Sequence, residues 1–397
     1  MLDPIPPPSS ALLAITKPWA DKLSLPTLPH HIHEVLFALV LYQGTQSVLS
    51  PLLSKAFFPK IYPNLNRRTR INWDVHVVSM VQSCLINTLA LWVMFTDEER
   101  GQMGRSVIGR VYGYTGASGL IQGLACGYFL WDLVVSTRYI KIFGLGIWAH
   151  AVTAFFVFSF GFRPFANYYG PPFILYELSS PFLNIHWFCD KVNMTGSKLQ
   201  WYNGMVLLVT FFCCRLVWGT YQSASVYYDV WQVMQMDLTA VLHQGSDIPV
   251  TSKNAANLFG VRGGELCLGD ARCVAAQSEV MRFVDEKSHV PLWIVVAYLV
   301  SNLTLNALNW YWFGKMIDTV RKRFTEKPVD KNENENEKRA RERRASKSIV
   351  EDAADTLDHE VMSGPVTPGV ELTEKAAMRM SSGRDGGAVV NKRRRDI

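Results

Sequence analysis

Charged residues are scarce in this sequence and unevenly placed. Only 19% of the 397 residues are charged, whereas 49% are hydrophobic, and there are 12 Trp and 21 Phe. So small a charged fraction excludes an ordinary soluble domain and is typical of a membrane protein that carries polar appendages. The formal net charge of +6 gathers between apolar runs and in the C-terminal segment, which indicates membrane topology rather than nucleic-acid binding.

The sequence also lacks the cysteine spacing of a zinc or redox site. Four of its seven cysteines lie in apolar runs, where a thiol is usually a small core residue. Only Cys267 and Cys273 share a polar loop, and they form neither a CxxC motif nor a cysteine–histidine pattern. We therefore predict no metal and no cofactor. Residues 1–32 lack the features of a cleavable signal peptide, so the first apolar run is expected to act as its own insertion signal.

Seven apolar runs approach or reach the roughly 20 residues that a membrane-spanning helix needs. They cover residues 33–53, 74–95, 117–137, 142–162, 172–188, 202–221 and 291–316. The fold class that they predict is all-α, a polytopic transmembrane helix bundle with about seven spans and a disordered C-terminal tail. Three regions follow: an N-terminal lumenal tail and first span (1–65), the bundle with a lumenal loop near 232–289 (66–322), and a disordered cytosolic tail (323–397).

Basic residues determine the predicted orientation. The first connection carries five of them and no acid, and the segment after the last run opens with Arg321-Lys322-Arg323. Both should be cytosolic by the positive-inside rule, and seven spans then place the N-terminus in the lumen. A disulfide between Cys267 and Cys273 is chemically reasonable in a lumenal loop. The sequon at Asn193 falls on the cytosolic side, so it is predicted to carry no glycan.

Polar residues inside the apolar runs are candidates for function, because hydrocarbon penalises them. His76, Ser79, Ser83 and Asn87 form one stripe on a helix. Tyr128 and Asp132 lie one turn apart in the third run, and His150 lies near the middle of the fourth. The fifth run contains Glu177, Ser180 and Asn184 on one helical face, and Pro181 in the middle of that face interrupts the backbone hydrogen bonds. The sixth contains Arg215, and the seventh contains Asn302 and Asn306.

Depth along the runs sorts these groups into two sets. Glu177 and Arg215 are predicted to lie at a similar lumenal depth and to form an ion pair, with a structural or a binding role. His76, Asp132 and His150 are expected to converge on a cytosol-facing cavity, where the last two are candidates for acid and base chemistry. The asparagines of the last run are weighed as hydrogen bonds between helices or as ligand contacts.

Two further features concern association and regulation. Gly119, Gly123 and Gly127 recur at every fourth residue, the spacing that lets two membrane helices approach closely, and they make an oligomer possible. In the polar tail, Ser346 follows two arginines and an alanine, which makes it a candidate phosphorylation site. The Lys392-Arg393-Arg394-Arg395 cluster is compatible with retention in the endoplasmic reticulum.

Four segments resemble one membrane-protein family over about residues 66–322. They are WDVHVVSMVQ at 73–82, GYFLWDL at 127–133, WAH at 148–150 and ELSSPFLN at 177–184. These motifs are similar to those of the TLC domain family, which takes its name from the TRAM, Lag1 and CLN8 proteins. The ELSSPFLN segment is similar to a stretch of the uncharacterised members that consist of this domain alone.

The resemblance implies a role in lipid homeostasis in an internal membrane, with membrane lipids as partners and no nucleic acid. Ceramide synthases carry two adjacent histidines, where this chain has Ala149-His150, and they carry a downstream His-Asp that is absent beside Glu177. We therefore favour a non-enzymatic protein of the endoplasmic reticulum that binds or senses lipid in a polar cavity between its helices. The alternatives are an acyl-CoA-dependent N-acyltransferase that uses His150 and Asp132, and a small-molecule or lipid transporter.

Overall fold

The computed structural model describes residues 1–163, 165–236, 280, 282–283 and 291–325. Every regular element in this part of the chain is helical, which confirms the predicted all-α class. The α-helices, in chain order, are α1 (Ser10–Leu23), α2 (Leu28–Gly44), α3 (Ser50–Phe57), α4 (Arg67–Thr96), α5 (Glu98–Met103), α6 (Val107–Tyr112), α7 (Gly116–Arg138), α8 (Ile140–Phe160), α9 (Gly170–Ile174), α10 (Ser180–Lys191), α11 (Lys198–Phe211), α12 (Gly219–Met234) and α13 (Leu292–Thr325).

Short 3-10 and π turns connect several of these helices. The 3-10 turns are Tyr62–Asn64, Asn167–Tyr169 and Leu175–Ser179, and the π turns are Thr45–Leu49 and Phe212–Trp218. The first π turn joins α2 to α3, and the second joins α11 to α12, so each pair forms one long helical rod. Within α8, Gly144 has a φ of 78°, a conformation that favours glycine, and it interrupts the helix near its start.

Six helical rods in the described residues are long and apolar enough to cross a membrane. They are Leu28–Phe57, Arg67–Thr96, Gly116–Arg138, Ile140–Phe160, Lys198–Met234 and Leu292–Arg321. The predicted run at 117–137 agrees with its helix to within one residue at each end. The run at 202–221 is much shorter than its rod, Lys198–Met234. The rod continues through polar turns at its ends because packing against neighbouring helices keeps these turns helical.

The fifth predicted run, 172–188, does not form one long helix. It lies in α9, the following 3-10 turn and α10. Just before it, the backbone N–H of Ala166 donates to the carbonyl of Val111 in α6, and near its end Trp187 packs against Trp73 in the first turns of α4. Because α6 follows the far end of α4, the broken segment runs from one end of the bundle to the other. Together with the six rods, this segment, the fifth in chain order, brings the number of times that the chain crosses the bundle to seven, although it is not a continuous helix.

Helix α7 is the centre of the bundle. In its apolar window 78% of the residues are buried, whereas the other five rods bury 17% to 39%. Those outer helices expose large apolar side chains such as Val40, Phe95 and Leu303. Apolar residues on the outside of a helical bundle are what a lipid environment requires.

The glycine repeat of α7 faces α2 of the same chain. A Cβ atom on Gly119, Gly123 or Gly127 would meet His31, Glu34 or the carbonyl of Val35, respectively. The close helix approach that the spacing predicted therefore takes place within one chain. Self-association through the repeat stays a prediction, and it would require α2 to move away.

The N-terminal region contains a helix that the sequence did not predict. Helix α1 begins after Ser9, whose hydroxyl accepts a hydrogen bond from the backbone N–H of Leu12, and it packs beside α2. Its exposed Ile15, Trp19 and Leu23 form an apolar face. The proline-rich composition of this region argued against a helix. Pro18 nevertheless lies inside α1 without ending it.

Candidate functional site

Among the residues that the structure describes, two cavities inside the bundle are lined by polar side chains. The larger, which we name the His76 cavity, has a volume of about 190 Å³, and the smaller, the Gln122 cavity, has a volume of about 90 Å³. His150, Glu177 and Arg215 line both cavities. Among the residues predicted for the site, those on the wall of the His76 cavity are His76, Tyr128, Asp132, His150, Glu177, Asn184 and Arg215.

Glu177 and Arg215 form the predicted ion pair, with 3.4 Å between Oε1 and Nη2. The guanidinium also donates to the hydroxyls of Ser179 and Ser180 at 3.1 and 3.3 Å, and to Oδ1 of Asn309 at 3.3 Å. Ser180 in turn donates to the second carboxylate oxygen of Glu177 at 2.7 Å. Both charges are therefore paired and hydrogen-bonded at a depth where isolated charges would be costly.

Local departures from α-helix place this network. Arg215 lies in the π turn Phe212–Trp218, a feature that often occurs at functional sites, and Glu177 lies in the 3-10 turn Leu175–Ser179. Pro181 begins α10 rather than interrupting a continuous helix, as the sequence had suggested. A proline in the first turn of a helix removes an N–H that has no helical partner in any case. Pro181 lines neither cavity.

The polar stripe of α4 meets α10 across the His76 cavity. Nδ1 of His76 lies 2.7 Å from Oδ1 of Asn184, and the Asn184 amide donates to the hydroxyl of Ser79 at 3.0 Å. The His76 ring also stacks on Trp187 with 4.2 Å between ring centroids. These contacts hold the imidazole in one orientation at the cavity wall.

Asp132 and His150 have no such support. Asp132 forms no hydrogen bond or ion pair with any residue that the structure describes. Nδ1 of His150 is buried and lacks a hydrogen-bond partner within the same part of the chain, and the ring packs edge-on against Trp312. No hydrogen bond joins the two side chains. The cavity therefore brings together an acid and an imidazole that are not assembled as a pair.

The separation of polar groups into two depths was wrong. Arg215 was placed near the end of its helix, but the rod continues from Lys198 to Met234, which puts Arg215 close to its middle. Glu177 lies in the 3-10 turn between α9 and α10, in the interior of the broken segment. The ion pair therefore shares a cavity with Asp132 and His150 instead of lying on the opposite side of the bilayer.

The asparagines of α13 connect helices. The Asn302 amide donates to the hydroxyl of Ser223 in α12 at 2.9 Å, and Asn306 donates to Oδ1 of Asn302 at 2.7 Å. Asn302 lines the Gln122 cavity, whereas Asn306 lines neither cavity. Their geometry agrees with the interhelical role that the sequence analysis weighed.

Several members of the two cavities were not predicted. Ser179 and Ser180 bind the ion pair, and Gln122 and Trp312 line the walls. The serines were visible in the ELSSPFLN motif, next to Glu177, and that adjacency was the available signal. Gln122 had no periodic polar partner in its run, so only the folded position identifies it. Cys267, Cys273 and Ser346 lie outside the described residues.

Comparison with known proteins agrees with the motifs on the cavity wall. The TLC domain profile matches residues 72–318, which include every residue that we have placed on the wall of the His76 cavity. The chain belongs to the TLC domain family. The match covers nearly all of the predicted 66–322 bundle, and with the six long apolar rods it identifies a multi-pass membrane protein.

Relatives of this TLC protein occur in fungi and animals. An uncharacterised TLC domain-containing protein of Schizosaccharomyces pombe is 34% identical over 79% of this chain and 87% of its own length. Topoisomerase I damage affected protein 4 of Saccharomyces cerevisiae is 33% identical over 57% and 81%, and human TLC domain-containing protein 4 is 26% identical over 43% and 65%. None of these three is named as a ceramide synthase. No solved structure matches the chain.

Proposed function

We propose that this TLC protein binds a membrane lipid in the His76 cavity and contributes to lipid homeostasis without catalysing a reaction on it. The observation that carries the proposal is the carboxylate of Asp132, which lines a cavity at membrane depth and has no partner among the described residues. A polar group in such a place needs a partner, and a lipid headgroup supplies one. The predominantly apolar wall accommodates hydrocarbon beside it.

The charges of the cavity favour one class of headgroup. Asp132 and Glu177 are two carboxylates, and Arg215, which already pairs with Glu177, is one cation. The surplus acid is complemented by a hydrogen-bond donor or a positive charge. The proposed ligand is therefore an amphipathic lipid whose headgroup carries an amine or several hydroxyl groups.

We also propose that the protein resides in the endoplasmic reticulum with its N-terminus in the lumen and its C-terminus in the cytosol. Support comes from Lys60 in the connection between α3 and α4, from Arg67 and Arg68 in the first turn of α4, and from the basic residues that begin with Arg321. Both basic groups lie at the same end of the bundle, because an even number of traversals separates them. Basic residues favour the cytosolic side.

Lipid analysis of the purified protein tests the binding proposal. The full chain is purified in detergent and its copurifying lipids are identified by mass spectrometry, for wild type, Asp132→Asn and Asp318→Asn. The control residue Asp318 is exposed and lines neither cavity. We expect an amine-bearing or polyhydroxylated lipid on the wild type and on Asp318→Asn, and at least several-fold less on Asp132→Asn. Equal lipid content in all three would contradict a role for the cavity.

An acyltransferase is the second candidate, and it is favoured by the unpartnered Nδ1 of His150 on the same cavity wall as Asp132. A general base of this kind would take the proton of a lipid amine as the amine nitrogen bonds to the carbonyl carbon of the thioester. The carbon–sulfur bond then breaks, the coenzyme A thiol leaves with the proton, and an amide is formed. The test supplies acyl-CoA and long-chain bases to the purified protein. An acylated product that disappears in both His150→Ala and Asp132→Asn would replace the non-enzymatic proposal with this one.

A further inference from the structure

A second polar cluster lies away from both cavities, where the N-terminal segment meets α2 and the start of α7. It consists of Asp3, His31 and Glu34, none of which lines either cavity. One oxygen or nitrogen atom of each residue lies within 4.8 Å of the corresponding atoms of the other two. Two carboxylates and an imidazole at this separation are a set of atoms that a single metal ion is able to contact.

The histidine is at the centre of the cluster. Nδ1 of His31 lies 2.9 Å from Oε2 of Glu34 and 3.4 Å from Oδ2 of Asp3. On the other side of the ring, Nε2 lies 2.6 Å from the hydroxyl of Tyr114. When Nε2 carries the proton and donates it to Tyr114, the lone pair of Nδ1 faces the two carboxylates. Histidine ligands of metals are commonly oriented by such a bond from their second nitrogen.

Burial makes the cluster costly without a ligand. His31 and Glu34 are each only 1% exposed. Oε1 of Glu34 is buried and has no hydrogen-bond partner within the described residues, and Nε2 of the His33 imidazole lies 3.8 Å from it. No lysine or arginine in that part of the chain pairs with Asp3 or Glu34. A buried carboxylate oxygen without a donor carries a substantial desolvation cost, which a bound cation would offset.

We propose that Asp3, His31 and Glu34 bind one divalent transition-metal ion, for which Zn²⁺ is the representative. The ligand set decides the class, because Zn²⁺ accepts imidazole nitrogen together with carboxylate oxygen. Ca²⁺ and Mg²⁺ favour sets made of oxygen alone. His33 offers a further nitrogen 3.8 Å from Oε1 of Glu34.

The proposed ion is a clamp on the N-terminal segment. Asp3 belongs to that segment, His31 and Glu34 belong to α2, and Tyr114 precedes α7. Gly119 and Gly123 of α7 leave the room in which the side chains of His31 and Glu34 lie, since a Cβ on either glycine would collide with them. Metal binding would thus fasten three parts of the chain together and stabilise the folded state.

Metal analysis of the full chain in detergent tests the proposal. The protein is stripped with a chelator and dialysed against Zn²⁺, bound zinc is measured by mass spectrometry of the element, and the thermal midpoint is recorded with and without zinc. The variants are Asp3→Asn, His31→Gln and Tyr114→Phe, and His30→Gln is the matched control. Asp3 is partly exposed and its amide keeps the shape of the side chain, so this variant is expected to fold. His30 neighbours the cluster but packs against Phe283.

We expect wild type and His30→Gln to retain one zinc per chain and to melt at a higher temperature when zinc is present. Asp3→Asn and His31→Gln should lose the bound zinc and the thermal shift, and Tyr114→Phe should weaken zinc binding by about tenfold or more. Wild-type protein that binds no zinc would overturn the proposal. So would equal zinc content in wild type, Asp3→Asn and His30→Gln, because the ion would then lie elsewhere.

Discussion

The carboxylate of Glu177 and the guanidinium of Arg215 lie 3.4 Å apart and both line the two cavities of the bundle. They come from different elements, a 3-10 turn and a π turn, and both elements depart from the α-helix at the place where the charges meet. This polar network joins two irregular turns. It connects the broken segment at 172–188 to the rod Lys198–Met234.

Removing one partner of the Glu177–Arg215 pair should destabilise the protein more than removing both. Arg215→Gln leaves a buried carboxylate without its cation, and such a loss typically costs about 3 to 5 kcal/mol. The double variant Glu177→Gln with Arg215→Gln leaves two neutral amides that are able to hydrogen-bond to each other. Thermal unfolding of the single and double variants in detergent measures the coupling. Strictly additive losses would show that the two residues act independently.

Asn184→Ala should cost about 1 to 3 kcal/mol of stability. The substitution removes the acceptor of the His76 ring and the donor to Ser79, so two half-buried polar groups lose a partner. Cys84→Ala on the same helix as His76 is the control, because Cys84 is exposed. Chemical unfolding in detergent compares the two variants. A loss no larger than that of Cys84→Ala would contradict the proposed coupling between α4 and α10.

Gly123→Ala should be destabilising, whereas Gly314→Ala should not. A Cβ at Gly123 would lie 2.5 Å from Oε2 of Glu34, and overpacking of this kind typically costs about 1 to 3 kcal/mol. A Cβ at Gly314 in α13 meets nothing within 4 Å, so alanine there gains helix propensity of up to about 1 kcal/mol. Thermal midpoints of the two variants should move in opposite directions. Equal shifts would indicate that α2 and α7 do not meet at this glycine.

Arg110 should not be replaceable by lysine. Its Nε and Nη2 bind the two carboxylate oxygens of Asp229 at 2.5 and 2.7 Å, and Tyr169 also donates to that carboxylate. Hydrogen bonding to Asp229 raises the pKa of Arg110 above its usual value. Lysine is unable to reproduce the two parallel bonds. Arg110→Lys should lower the thermal midpoint, and the exposed Arg67→Lys should leave it unchanged.

The sequon at Asn193 should remain unglycosylated although it is sterically accessible. Asn193 is exposed in the connection between α10 and α11, at the end of the bundle that the basic residues assign to the cytosol. Glycosidase treatment of protein from eukaryotic membranes should leave its electrophoretic mobility unchanged. A sequon-bearing tag placed before Met1 should be glycosylated in the same cells. Glycan on Asn193 would reverse the proposed orientation.

The sequence predicted correctly those features that depend on local composition. Apolar runs of membrane length indicate helices wherever they occur, because hydrocarbon leaves the backbone no other partner than itself. The ELSSPFLN segment was sufficient to suggest the family that the profile match later showed. The ion pair of Glu177 and Arg215 was also predictable, since a buried charge requires an opposite one. For each of these, short stretches of sequence contain the deciding information.

The tertiary structure decided where polar groups meet. Periodicity did not reveal that the segment at 172–188 is broken at the 3-10 turn before Ser180. Nor did it reveal that Arg215 lies near the middle of a longer rod. Both features determine that Glu177 and Asp132 share one cavity. Contacts between residues distant in sequence depend on how the helices rotate and cross. Side-chain packing determines this geometry, whereas composition does not. Sequence alone therefore established the family and the helices, and the fold alone brought their polar residues together.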